Sequence, residues 1–265
     1  VSWPLGLIVP LQNATPFSPF APREWREAMR RVKDAGFDGV ELAITDPDRV
    51  DHSSVAKALD ADGLRLLSIT TGQAAALEGL SLSSSDDGVR HRAVERIERH
   101  MFLAASFDAV VIVGSLRGAD GDRTLLTDSL RRCAALNPEI KLAFEPLNRY
   151  ESRLVNTVEE SLRLLDDVGA DNLGLLFDTF HANIEEPSVE AALQRAGERL
   201  FHVHLADSNR WVPGHGHTDF RGVWQALERI DYRSGLIVEA LPRPEDGALL
   251  SCGMGLRSSW ETADA

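Results

Sequence analysis

Eight short apolar runs recur along almost the whole chain, separated by stretches with helical spacing, and this alternation limits the folds open to it. The runs are Leu5–Val9, Asp38–Ala43, Leu64–Ile69, Ala109–Val113, Ile140–Glu145, Leu173–Asp178, Leu200–Leu205 and Gly235–Ala240. Each has the length and the β-branched or leucine content of a strand buried on both faces. Between them, Trp25, Ala28, Met29, Val32 and Ala35 repeat at helical spacing, with Gly36 as a stop. Phe220, Val223, Trp224, Leu227 and Ile230 repeat in the same way. Thr157 and Glu160 form a capping-box pattern that opens a helix carrying Val158, Leu162 and Leu165. Strands that alternate with helices pair in parallel, and right-handed crossovers close eight of them into a (β/α)8 TIM barrel. A doubly wound open sheet is the rival, but no glycine-rich phosphate loop follows the first strand. The 265 residues suit one such barrel, read as a single α/β domain over 1–265. The stretch 242–265, rich in Gly and Ser, is an atypical tail where a barrel places its last helix.

A formal net charge of -13 repels phosphate backbones, which argues against nucleic acid and anionic membrane as partners. Cys133 and Cys252 match no metal or redox spacing, which fits a reducing cytoplasm. Val1–Leu11 is apolar but has no basic region or small-residue cleavage site, so it reads as the first strand.

Chemistry in a parallel barrel collects at the C-terminal ends of strands. Four consecutive strands here end on a side chain able to bind metal: Glu145, Asp178, His204 and Glu239. Their spacings of 33, 26 and 35 residues each match one strand–helix unit, so the four converge. With Glu239 pointing inward, Ile237 also points inward while Val238 and Ala240 face the helices. Three carboxylates buried together are untenable without a cation, and this donor set suits Mn²⁺, Mg²⁺ or Co²⁺, with Zn²⁺ also open. Each residue alone also reads as a helix cap or a surface charge. Repetition at one topological position on successive strands is what favours the site.

Several residues stay open to two readings. His181 is a substrate contact or a loop cap. His202, one layer below His204, reads as a core histidine. His215 and His217 lie in a glycine-flanked loop, as ligand-orienting or as solvated residues. Glu185 and Glu186 read as a solvated loop.

The stretches EPLNRYES (145–152), FDTFHANIEE (177–186) and FHVHLADSNRWVPGHGHTDF (201–220) resemble the xylose-isomerase-like sugar phosphate isomerases and epimerases. Within that group they are most similar to the D-tagatose and D-psicose 3-epimerase family of ketose 3-epimerases. TDPDRVD (45–51), TTGQAAALEGLSLSS (70–84), GSLRG (114–118) and ADSNRW (206–211) resemble its 5-keto-L-gluconate epimerase branch. The likeness runs from about residue 5 to 245 and departs from the family in a shortened segment between strands four and five and in the tail. It implies metal ligation by Glu145, Asp178, His204 and Glu239, with Glu145 and Glu239 as the catalytic acid and base. It implies substrate contacts at Glu151, His181 and Arg210, no organic cofactor, and a homodimer or homotetramer. The implied reaction inverts C3 of a ketose or keto-uronate through an enediolate. Arg117, just beyond the fourth strand, is open to two readings: it faces the barrel mouth and, with Arg149, selects a keto-uronate by pairing with its carboxylate, or it pairs with surface acids.

An aldose–ketose isomerase such as a hydroxypyruvate isomerase would use the same metal and carboxylates, differing only in where the proton returns. A phosphodiesterase of the abasic-site endonuclease kind would want more metal ligands and a basic surface. A non-catalytic sugar sensor would need neither the metal nor the opposed carboxylates.

Overall fold

The computed structural model describes residues 2–241 and 247–261. Eight parallel strands form a closed barrel in sequence order. They are β1 (Leu5–Pro10), β2 (Gly39–Ala43), β3 (Arg65–Thr70), β4 (Val110–Val113), β5 (Leu142–Phe144), β6 (Leu173–Asp178), β7 (Leu200–Leu205) and β8 (Leu236–Val238). The ring closes where Leu5, Gly6 and Leu7 pair with Leu236, Ile237 and Val238. Ten α-helices are described: α1 (Trp25–Asp34), α2 (His52–Asp62), α3 (Gly72–Glu78), α4 (Asp87–Ala105), α5 (Arg123–Leu136), α6 (Val158–Val168), α7 (Thr179–Glu185), α8 (Val189–Ala196), α9 (Phe220–Arg229) and α10 (Ala248–Glu261).

Local chemistry sets the helix ends. Thr157 and Glu160 make both halves of a capping box at the start of α6. Asp51 caps α2 by accepting from the Ser53 and Ser54 N–H groups, and Gly63, at φ 59°, ends it in the left-handed region. The faces read as apolar are the buried ones: Ala28, Met29 and Val32 on α1, Val223, Trp224 and Leu227 on α9.

The main core lies between strands and helices and includes Leu7, Val40, Leu142, Val203, Val238 and Trp224. Inside the barrel are two much smaller apolar clusters, Ile8, Ala43, Leu67 and Ile237 in one, Val110, Ile112, Ala143 and Leu176 in the other. Ile237 therefore points inward and Val238 outward, as strand alternation requires. The backbone must also come close to neighbours at the barrel floor. A Cβ on Gly39 would lie 2.5 Å from the Arg65 carbonyl oxygen and 2.7 Å from Leu67 Cγ.

The ladder skips a residue twice. Val40 pairs with Leu66 but Glu41 with Ser68, and Leu175 pairs with Leu200 but Leu176 with His202. Such bulges re-aim the side chains that follow them.

The tail departs from its sequence reading, because Ala248–Glu261 is a helix and supplies the barrel's last outer element. Trp260 packs edge-on against Trp3 and Trp224, with ring centroids 5.6 and 5.7 Å away. Arg257 donates to the Gly36 carbonyl and to Asp38. Serine and glycine lower helix propensity, but two anchors of this kind outweigh a deficit of about 1 kcal/mol per glycine. Residues 242–246 and 262–265 of that tail lie outside the described residues. Among the described residues, no helix is long and apolar enough to cross a membrane.

Candidate metal and active site

The C-terminal ends of β5 to β8 bring four side chains to one point. One ligand atom from each of Glu145, Asp178, His204 and Glu239 lies within 4.8 Å of the others. Glu145 and Glu239 stand one residue beyond β5 and β8, Asp178 ends β6, and His204 is the penultimate residue of β7. His204 Nδ1 is buried, makes no hydrogen bond, and lies 3.3 Å from Glu239 Oε2 and 4.0 Å from Glu145 Oε1.

Arg210 is the positive charge nearest these acids. It donates to Asp178 Oδ2 at 2.8 Å and to Glu239, and its guanidinium lies over the rings of Phe180 and Phe17. Its backbone is in the left-handed region at φ 60°. The loop that carries it is built on Asp207, which accepts from the N–H groups of Ser208, Gly214 and Thr218. Burial opposes the charge on Asp178, yet Arg210, His181 and His204 outweigh it and hold that carboxyl at about 2. Glu145 goes the other way. Burial and then the neighbouring Glu239 push its carboxyl well above the usual carboxylate range.

His181 sits at the start of α7, its Nε2 3.6 Å from Glu145 Oε1 and 3.7 Å from Asp178 Oδ2. The Asn148 backbone N–H, which can only donate, points at His181 Nδ1 from 3.3 Å, so the ring proton is on Nε2, facing the acids. Glu151 is half exposed, 3.9 Å from His181 Nδ1, and accepts from the Asn148 side chain at 2.9 Å.

A cavity of about 510 Å³ opens beside Glu145 and Glu239. Its lining includes Glu145 and Glu239 together with Asn13, Thr15, Phe17, Thr70, Gln73 and Ser115, and among the described residues contains no lysine or arginine. Gly114 borders it of necessity, because a Cβ there would lie 2.5 Å from Glu145 Oε2.

Three expectations are corrected. Arg117 does not face the barrel mouth: it is fully buried and donates to the carbonyls of Glu145 at 2.7 Å and Val155 at 2.8 Å. A short 3-10 turn at Ser115–Arg117 folds its side chain beneath β5, over the Phe144 ring. Arg149 points instead at Glu185, which accepts from its backbone N–H and both ends of its guanidinium. Glu185 is thus a nearly buried anchor and not a solvated residue, and Glu186 caps Val158 N–H at 2.6 Å. His215 and His217 are exposed, and His217 Nδ1 meets Ser208 Oγ at 3.0 Å.

Sequence reading passed over Glu41. It lies in the middle of β2, fully buried, with Oε2 3.0 Å from His204 Nε2 and 3.7 Å from His202 Nε2. The available signal was an acid between Val40 and Leu42, whose outward packing turns Glu41 into the barrel.

A family profile described as a xylose isomerase-like TIM barrel matches residues 29–253. The chain belongs to the xylose isomerase-like TIM-barrel family. Among relatives in that family, an L-ribulose 3-epimerase of Mesorhizobium japonicum is 32% identical over 83% of this chain and 76% of its own length. A D-psicose 3-epimerase of Agrobacterium fabrum is 31% identical over 80% of this chain and 77% of its own. A 3-dehydro-D-guloside 4-epimerase of Escherichia coli is 28% identical, covering 86% and 92%. A solved L-ribulose 3-epimerase structure superposes with a TM-score of 0.82 at 26% identity, covering 97% and 95%. Kinship with these xylose isomerase-like epimerases makes the chain an enzyme of the carbohydrate isomerase class.

Proposed function

We propose that this enzyme uses one divalent cation to invert the carbon beside a ketone in a neutral sugar, C3 of a ketose in the usual numbering. The observation that carries the reading is the convergence of Glu145, Asp178, His204 and Glu239, with Glu145 and Glu239 bordering a cavity whose wall mixes apolar side chains with the hydroxyls and amides of Asn13, Thr15, Thr70, Gln73 and Ser115. The named relatives share one chemical denominator. A 3-epimerase of a 2-ketose and a 4-epimerase of a 3-dehydro sugar both invert the carbon next to the carbonyl.

The donor set fits a metal ion. His204 Nδ1 is buried with no hydrogen bond, and three carboxylates face it with Arg210, among the described residues, as the one full positive charge paired with them. Oxygen and imidazole donors without thiolate suit Mn²⁺ first, then Mg²⁺, Co²⁺ or Zn²⁺. Such an ion supplies electrostatic stabilisation of the negative charge that develops on the substrate oxygens.

The rest falls to the protein's side chains. Glu145 and Glu239 come from strands three places apart round the ring, so they approach a substrate from different sides. Glu145 and Glu239 are placed to act as the acid and base pair, one taking the proton and the other returning it. His181, with its proton on Nε2, donates a hydrogen bond to a substrate oxygen, and Arg210 and Glu151 orient the neighbouring hydroxyls. Among the described residues, Arg117 and Arg149 are committed elsewhere, Arg210 is paired with Asp178 and Glu239, and the cavity lining holds no lysine or arginine for a keto-uronate carboxylate, which favours the neutral sugar. Two free thiols, Cys133 and Cys252, support a reducing cytoplasm, and exposed Phe102 and Tyr150 support a homodimer or homotetramer.

The test is incubation of Mn²⁺-loaded protein in D₂O with L-ribulose, D-psicose, D-tagatose and D-tagaturonate, followed by NMR. Deuterium at C3 with formation of the epimer, lost on EDTA treatment, is expected for the neutral ketoses. Exchange at C1 with aldose formation would make the enzyme an aldose–ketose isomerase instead. A preference for the tagaturonate would overturn the neutral-sugar assignment.

A further inference from the structure

Beneath the four donors lies a second cluster that the proposed chemistry does not use. Glu41, His202 and His204 place ligand-type atoms within 4.8 Å of one another, all buried in the barrel lumen. His204 belongs to both clusters. Its Nδ1 faces Glu145 and Glu239, and its Nε2 lies 3.0 Å from Glu41 Oε2. Ser68 Oγ donates to the same Glu41 oxygen at 2.6 Å. The result is a Ser68–Glu41–His204 relay that crosses the lumen from β3 and β2 to β7.

Two features show that this relay is built. The first is the cost of Glu41 itself. A carboxylate with no exposed surface in a barrel interior is untenable without partners, and a leucine would fit an apolar layer there. The second is the register. The skip in the β2–β3 ladder is what sets Ser68, and not Leu67, opposite Glu41. The skip in the β6–β7 ladder sets His202 and His204 opposite Leu176 and Asp178. Both bulges therefore serve the same chain of contacts.

An imidazole that offers the lone pair of one nitrogen to a cation carries its proton on the other. We propose that Glu41 is a positioning residue, which accepts the His204 Nε2 proton and so presents Nδ1 as an oriented ligand to the cation. Ser68 in turn holds the Glu41 carboxylate in one orientation. A carboxylate behind a ligating histidine fixes the ring and raises its basicity, and removal of such a partner weakens metal binding about 10–100-fold. The inference rests on the metal-centre reading above.

The experiment is calorimetric titration of Mn²⁺ into metal-stripped protein, for the wild type, Glu41→Gln, Ser68→Ala, His204→Ala and the Glu41→Gln/His204→Ala double variant. The wild type is expected to bind one ion per chain. Glu41→Gln should bind it about 10–100-fold more weakly. Ser68→Ala, which keeps the charge and the volume, should lose about threefold or more. In the His204→Ala background the Glu41 substitution should change the affinity by less than about threefold, because Glu41 acts through the imidazole. A general structural role would instead give losses that add. A folded Glu41→Gln protein with wild-type affinity overturns this inference and leaves the metal centre standing. Failure of the wild type to bind Mn²⁺ overturns the metal centre as well. Two ions per wild-type chain, falling to one in Glu41→Gln, would make the lower cluster a second metal site and overturn the positioning role. Should Glu41→Gln not fold, Ser68→Ala decides, and unchanged affinity there counts against the proposal.

Discussion

Replacing Arg117 by methionine separates a buried brace from a substrate-reading cation. The guanidinium makes three hydrogen bonds, to the Glu145 carbonyl, the Val155 carbonyl and Ser152 Oγ at 2.7, 2.8 and 3.2 Å. Hydrogen bonds from a charged donor contribute about 1.5–3 kcal/mol each, so the three together are worth about 6 kcal/mol. Against this, burial pushes the Arg117 pKa down to about 10, a penalty on the charge of about 3 kcal/mol that methionine removes. The expected net loss is about 3 kcal/mol, or a fall in Tm of about 6 °C for a chain of this size. Release of the Glu145 carbonyl lets the carboxylate proposed as an acid or base drift, and kcat for a neutral ketose should fall at least tenfold. The ratio of kcat/KM between a keto-uronate and a neutral ketose should not move. Scanning calorimetry and paired kinetics measure all three quantities. An unchanged Tm together with a rise in KM confined to the keto-uronate would refute the brace and restore Arg117 as a specificity residue.

Two further predictions follow from the same geometry. Gly114→Ala puts a Cβ 2.5 Å from Glu145 Oε2, so the carboxylate must move; Mn²⁺ affinity and kcat should both fall by about tenfold or more, and wild-type values would show that the site tolerates the displacement. Asp207 is held below the usual carboxylate range, burial being outweighed by the N–H groups of Thr218, Ser208, Gly216 and Gly214. A carboxyl whose folded pKa is depressed stabilises fully above its unfolded value, about 3.9, and that stabilisation is lost as pH falls through the folded value. The 207–218 loop should therefore loosen only below about pH 4, seen as faster proteolytic nicking there, and an identical acid profile in Asp207→Asn would show that another group is responsible.

Much of this architecture was legible because long parallel strands advertise themselves. Leu173–Asp178 and Leu200–Leu205 were read with the bounds they have, the first an apolar run closed by Asp178 and the second one whose apolar positions are broken only by His202 and His204. The fifth strand was read from Ile140 to Glu145 but pairs only over Leu142–Phe144, because hydrogen bonding to both neighbours, and not hydropathy, sets its length. Convergence at the strand ends was readable from topology alone. What lay beyond reach depended on side-chain direction after a turn. The sequence places Arg117 at the right end of β4 but does not say that a 3-10 turn folds it under β5. Glu185 looked solvated because its partner Arg149 lies 36 residues away in sequence. Glu41 was hidden by its surroundings, an acid inside a run otherwise apolar enough to pass as plain core.

The unequal apolar volumes of this barrel bear on how its specificity can change over evolutionary time. Each inner cluster holds four buried residues, while the layer between strands and helices holds the aromatic and aliphatic bulk. Folding free energy thus resides mainly in the outer layer, and the lumen is left to polar groups that carry chemistry. Substitutions at Asn13, Thr15 or Gln73 can remodel the pocket wall with little drain on stability. A lineage built this way can drift from one sugar to another without first acquiring compensating mutations elsewhere, and the differing substrates named for its relatives are the kind of divergence such a partition permits.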